Sequence, residues 1–178
     1  MTSDEFMWVL ARVAGLASYA SLAVALFTGI ALRTAVLDWL ASNRVLRSLH
    51  EYTTVLWIPL GLVHVGALVL DQTARVGLLD LVVPFRAPYG MLAIGLGTLS
   101  VDVLLIVTVT SFFKRRMHPG LWRWLHRLAY IAFALVFLHA VLGGTDFSDP
   151  AVSAITWATA AALAVLGFAR LVWGRLPA

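Results

Sequence analysis

Long apolar runs separated by short polar breaks dominate the chain, and they set its architecture before any single residue is considered. A helix needs roughly 20 mostly apolar residues to cross a hydrocarbon core. Five segments reach that length: about 7–32, 49–70, 89–113, 121–142 and 152–172. The breaks carry helix-start chemistry: Ala41-Ser42-Asn43 before the second run, Pro119 before the fourth, and Asp149-Pro150 before the fifth. The expected fold class is an all-α membrane protein, one domain over residues 1–178 built as a bundle of five transmembrane helices. Between the second and third runs, residues 78–85 are too few to span and too apolar to be solvated. They are expected to lie at the membrane interface as a lid.

Composition supports this class. The chain is 61% hydrophobic and only 12% charged, with a mean hydropathy of +0.91, so it has too little polar surface to cover a soluble globule. Trp8, Trp39, Trp122 and Trp173 fall near run ends, where indole rings favour the headgroup region; Trp57 and Trp157 do not. The absence of cysteine excludes disulfides, thiolate metal sites, iron–sulfur ligation and thiol catalysis. The start, MTSDEF, is acidic and lacks a basic n-region or cleavage site, so the first run is read as a retained helix.

Loop charge gives an orientation. Arg33, Arg44 and Arg47 fall in the segment after the first run, Lys114, Arg115, Arg116 and Arg123 in the segment after the third, and Arg170 and Arg175 at the C-terminus. These fall on one side. The other side holds the acidic N-terminus, a loop in which Arg75 and Arg86 are balanced by Asp71 and Asp80, and a turn with Asp146 and Asp149. By the positive-inside rule the N-terminus is outside and the C-terminus cytoplasmic. The net charge of +4 is thus a topology signal and implies no nucleic-acid partner.

Four of the five histidines fall in apolar runs: His50 and His64 on the second, His126 and His139 on the fourth. Ionisable groups at membrane depth are costly and mark function. Both runs follow cytoplasmic loops and so share a direction, placing His50 and His126 at an inner level and His64 and His139 at an outer one. Fourteen steps of helix separate the first pair by roughly 21 Å and thirteen the second by roughly 20 Å, so the two levels match. Neutral imidazoles paired across an iron suit haem and leave no open coordination position, which favours electron transfer. The angles agree less well. Fourteen steps return to within roughly 40° of the starting face, but thirteen leave His139 roughly 140° from His126 on a straight helix, so tilt, a local bulge or a tangential approach is required. The simpler alternative for all four is hydrogen bonding between helices. His118, in a basic loop, is read as solvated or headgroup-facing.

Other residues extend the constellation. Arg47 and Arg123 each lie three residues before an inner histidine and are candidates for haem propionates, or are ordinary positive-inside arginines. Trp57 lies midway between His50 and His64, and Phe133 at a comparable depth on the fourth run; each is an electron relay or core filling. Pro59 can kink the second helix, and Gly61 leaves room for a flat macrocycle. Asp102, at core depth in the third run, is read as a proton-coupling group or as a polar contact to Ser100, Thr98 or a neighbouring helix.

The double motif, H-x13-H at His50 and His64 with H-x12-H at His126 and His139, resembles the ferric reductase-like transmembrane domain of ferric reductases and NADPH oxidases. The segment Trp122-Arg123-Trp124-Leu125-His126-Arg127-Leu128-Ala129-Tyr130 is similar to that family's Trp-Arg-x-Leu-His-Arg-Leu-x-Tyr text, as is Gly144-Thr145-Asp146. The resemblance covers nearly the whole chain. It implies two b-type haems, held by His50 with His126 and by His64 with His139, and electrons moving outward from the cytoplasm. It also implies that a thirteen-residue spacing serves on the second ligand helix. Two departures stand out. No dinucleotide-binding glycine motif precedes Ala178, which points to a separate cytoplasmic flavin or flavoprotein donor. Leu68 occupies the position where the superoxide-producing oxidases tend to carry a further histidine, which argues against dedicated oxygen reduction.

The expected function is therefore an electron conduit at the cell membrane, an oxidoreductase component passing electrons from a reduced flavin donor to ferric iron, oxygen or a redox protein outside. A second reading is a quinol- or flavin-fed membrane subunit of a periplasmic reductase, similar to the haem-binding subunit of methionine sulfoxide reductase. A third, of another class, is a haem-free scaffold or transporter subunit.

Overall fold

The computed structural model describes residues 2–34, 39, 41–74 and 76–173. Every regular element among them is helical: α1 (Ser3–Thr34), α2 (Asn43–Leu70), α3 (Met91–Phe112), α4 (Pro119–His126), α5 (Leu128–Gly143) and α6 (Pro150–Trp173). With α4 and α5 taken together, five helices are long and apolar enough to cross a membrane. Of the residues used in the charge count, Arg75 and Arg175 lie outside the described residues.

The polar breaks act as the sequence suggests. The Ser42 carbonyl accepts from Leu46 N–H at 3.0 Å, so α2 begins before its apolar run. The His118 ring caps α4 by accepting from Gly120 N–H at 3.2 Å, a more specific role than the solvated one expected of it. The Asp149 carboxylate accepts from Ala151 and Val152 N–H at 2.9 and 3.0 Å and so caps α6.

The fourth apolar run departs from the expected single helix. It breaks at Arg127, whose N–H reaches the carbonyls of Trp124 at 3.1 Å and Arg123 at 3.3 Å, while Tyr130 N–H reaches Arg127 O at 3.1 Å. Bonds to the third residue back mark an overwound, 3₁₀-like turn.

The helices fall into two units. The first, residues 1–67 and 146–178, holds α1, most of α2, and α6. Its most buried helix is α1, where Ala11, Ala14, Ala23, Ala25 and Ala31 let neighbours approach closely. Ser21 Oγ donates to Thr53 O on α2 at 2.8 Å, and Tyr19 Oη to Thr156 O on α6 at 3.4 Å. Near the start of α1, Arg12 forms a two-pronged ion pair with Asp146, its Nε donating at 2.9 Å, and its guanidinium lies 4.0 Å over the Trp8 ring.

The second unit, residues 68–145, holds α3, α4 and α5. Here α3 and α5 approach closely, and a Cβ on Gly143 would lie 3.2 Å from that of Ala93. The loop before α3 docks onto that helix. Thr98 Oγ1 donates to Asp80 O at 2.7 Å, and the Asp80 carboxylate accepts from Gly77 N–H at 2.9 Å. Phe85 adopts a φ of 60°, unusual for a bulky residue, and its ring and backbone fill the space a Cβ on Gly95 would need. Leu78, Leu79, Val82 and Val83 are left exposed on this loop.

The hydrogen bond from Arg12 holds the Asp146 carboxyl below the usual carboxylate range. A carboxyl whose folded pKa lies below its unfolded one stabilises the fold at neutral pH, and that contribution is lost as pH falls through the folded value. Protease cleavage within residues 144–149 should therefore accelerate on acidification of the native chain, and should be fast and pH-independent in Asp146→Asn. A native chain cleaved at the same rate at every pH would show that the pair does not hold this turn.

Candidate functional site

Three of the four histidines on apolar helices are seated in the same way. His50 Nδ1 lies 2.8 Å from the carbonyl of Ala25, His64 Nδ1 2.7 Å from that of Ala11, and His139 Nδ1 2.8 Å from that of Ala93. A carbonyl only accepts, so Nδ1 carries the proton, and in the neutral ring Nε2 is left as the lone-pair atom. Each ring is thus held in one tautomer and one orientation by a neighbouring helix.

The neighbouring helix is shaped for this contact. Four residues beyond each accepting carbonyl stands a glycine: Gly29 after Ala25, Gly15 after Ala11, and Gly97 after Ala93. A Cβ at Gly15 would come within 2.8 Å of the His64 ring, at Gly29 within 3.1 Å of His50, and at Gly97 within 2.7 Å of His139. Each glycine is a slot for an imidazole. The spacing A-x3-G was not singled out in the sequence, where glycines and alanines in apolar helices blend into ordinary membrane-helix composition.

The slots also repeat. On α1 the two Ala-x3-Gly boxes start fourteen residues apart, at Ala11 and Ala25, which matches the spacing of His50 and His64 on the antiparallel α2. On α3, fourteen residues beyond Gly97 is Ser111, whose hydroxyl lies 3.4 Å from His126 Nδ1. Both histidines of the fourth run therefore address α3. The expected angular misfit is reduced at the break at Arg127, since overwinding adds rotation in the direction a thirteen-residue spacing lacks. His126 has a further support: the Trp122 ring stacks on it with centroids 5.1 Å apart and planes 22° from parallel.

The remaining sequence candidates are placed as follows. Trp57 and Phe133 are both buried, the first in the α1–α2 unit and the second in the α3–α5 unit. Gly61 lies under the Trp57 ring, where a Cβ would make ordinary contact at 3.5 Å, so the space expected for a macrocycle there is partly taken by tryptophan. Pro59 is accommodated inside a continuous α2. Arg47, in the second turn of α2, and Arg123, in the last turn of α4, are both exposed. Asp102 is half-buried, and the hydroxyls expected to meet it donate elsewhere, Ser100 to Gly97 O at 2.6 Å and Thr98 to Asp80 O. Arg12 was missed. An arginine inside the first apolar run is a charge at membrane depth, and that rule would have found it.

The slots make a direct prediction. Gly97→Ala and Gly15→Ala should each cost about 1 to 3 kcal/mol of stability, because the added methyl meets a ring that cannot retreat without losing its carbonyl. Gly66→Ala on α2, where nothing lies within 4 Å, should instead gain up to about 1 kcal/mol from helix propensity. Thermal unfolding in one detergent checks all three, and equal effects at Gly66 and Gly97 would remove the slot interpretation.

No curated protein and no solved structure matches the chain. A family model matches residues 6–146, from the start of α1 through the turn that holds Asp146, and the chain belongs to that family, described as Domain of unknown function (DUF8596).

Proposed function

We propose that this chain is a multi-pass cell-membrane protein that carries electrons across the bilayer through two b-type haems, which His50, His64, His126 and His139 would hold. The observation that carries the proposal is the repeated seating of imidazoles by a carbonyl and a glycine, with Nδ1 engaged and Nε2 left as the lone-pair atom. Ligating histidines are oriented in this manner, because an Nδ1–H bond to an acceptor fixes the tautomer and raises the basicity of the other nitrogen. A lone hydrogen bond between helices would need one such slot, but not its repetition at fourteen residues on one helix.

The donor set fits haem better than a bare ion. Among the described residues no three His, Cys, Asp or Glu side chains come together as a metal site. A macrocycle brings its own equatorial nitrogens and asks the protein only for axial imidazoles. When bound, haem would supply the one-electron chemistry, while the protein sets ligation, spacing and burial.

The chain's own residues have separable tasks in this proposal. The carbonyls of Ala11, Ala25 and Ala93 aim the rings, and the apolar helices exclude water. Trp57 and Phe133 place buried rings between ligand levels, and Arg47 and Arg123 offer positive charge one turn before the inner histidines. Loop charge orients the N-terminus outward, and electrons pass from a cytoplasmic reduced flavin or flavoprotein to an outer acceptor such as ferric iron, oxygen or a redox protein. The exposed Leu78, Leu79, Val82 and Val83 rest at the outer interface.

A reduced-minus-oxidised absorption spectrum of the purified protein, with haem-to-protein stoichiometry, tests the proposal. About two b-type haems per chain are expected, falling to about one in His64→Ala. A colourless protein that takes up no added haem would overturn it.

A further inference from the structure

Trp122 sits one turn before His126 on the eight-residue α4 and stacks on its ring. Its indole Nε1 is buried and has no hydrogen-bond partner, the one side-chain nitrogen or oxygen among the described residues in that condition. A buried donor left unpaired is destabilising, because it has given up its bond to water without a replacement. Indole N–H only donates, so what completes it is an acceptor. Lys114 Nζ lies 6.0 Å from the same ring centroid, so an acceptor arriving here meets positive charge and is favoured when anionic.

We infer that Trp122 Nε1–H is a hydrogen-bond donor to a propionate carboxylate of the haem ligated by His126, with Lys114 adding charge at the same corner; this rests on the haem proposal above. A haem held by His126 would carry two propionate carboxylates, and the stacked indole keeps its N–H at a fixed position relative to the His126 ring. Trp122 is thus a cofactor-positioning residue. The membrane-interface role expected of its indole does not account for a buried N–H. Trp124, on the same helix, is 61% exposed and serves as the control.

The test uses the full chain loaded with haem. Trp122→Phe keeps an aromatic ring and removes the donor, and replacement of Trp122 by 3-benzothienylalanine keeps the indole shape with sulfur in place of N–H, which protects the comparison from misfolding. Haem content should stay at two per chain. One of the two midpoint potentials should fall, by about three- to tenfold in the reduction equilibrium, since a propionate without its donor stabilises ferric iron. Transfer of one haem to a scavenging apoprotein should become about tenfold faster. Trp124→Phe should change neither quantity. Unchanged potentials and transfer rates in both Trp122 variants, with two haems bound, would overturn this inference and leave the haem proposal standing, as would an equal shift of both potentials. A native chain that binds no haem would overturn the proposal beneath it, and the inference with it.

Discussion

A helix backbone carbonyl has two lone pairs and spends one of them on the N–H four residues ahead. The second is what this molecule uses. At Ala11, Ala25 and Ala93 it accepts an imidazole Nδ1–H from the facing helix. The residue that makes the helical bond to the same carbonyl is the one whose Cβ would stand in the ring's way, and at all three places it is glycine. The i, i+4 geometry of the α-helix thus dictates the motif. A glycine in a helix gives up about 1 kcal/mol relative to alanine. That cost is modest against leaving an imidazole N–H unbonded in apolar surroundings, where no water is at hand to replace the partner.

Pairing two antiparallel helices through two such contacts couples their spacings. On α1 the boxes are fourteen residues apart and so are His50 and His64, so α2 remains one helix through Pro59. On α3 the corresponding positions are again fourteen apart, but His126 and His139 are thirteen apart. Thirteen residues at 100° each stop roughly 140° short of a full turn. The turn at Arg127 makes up part of that deficit, because a residue in a 3₁₀ turn rotates by roughly 20° more than one in an α-helix. Since α4 and α5 are separate helices, their axes need not coincide, and the second histidine is aimed by α5 alone. The break is a consequence of the spacing.

The five apolar runs, their caps and the four histidines were legible in the sequence, because each depends on local rules: run length, N-cap chemistry, and the cost of an ionisable side chain among apolar neighbours. What was hidden depends on partners far apart in the chain. Gly15, Gly29 and Gly97 acquire meaning only when the histidines opposite them are known. Gly61, which lies between two histidines, also lies beside the Trp57 ring, a contact that the spacing alone did not bring out. Arg12 was concealed by the length of the run around it, and its partner Asp146 is 134 residues away. His118 is exposed as expected, and its cap was hidden because it is a contact with the backbone two residues on, which composition does not reveal.

The fourth histidine is held differently, and the reason lies in its place on the chain. His126 is the last residue of α4, immediately before the overwound turn, so its orientation relative to α3 depends on how that turn closes. A glycine slot on α3 would demand tight register at the one ligand whose helix ends there. Ser111 stands at that position instead, with a hydroxyl that can donate or accept and can turn to follow the ring. Such a partner does not hold the ring in place as a carbonyl at 2.8 Å does. Trp122 adds a constraint from within α4, stacking on His126 from one turn back. Because both residues belong to the same short helix, their relation is preserved whatever angle α4 makes with α5, and the ring is braced by its own helix as well as by Ser111 of α3.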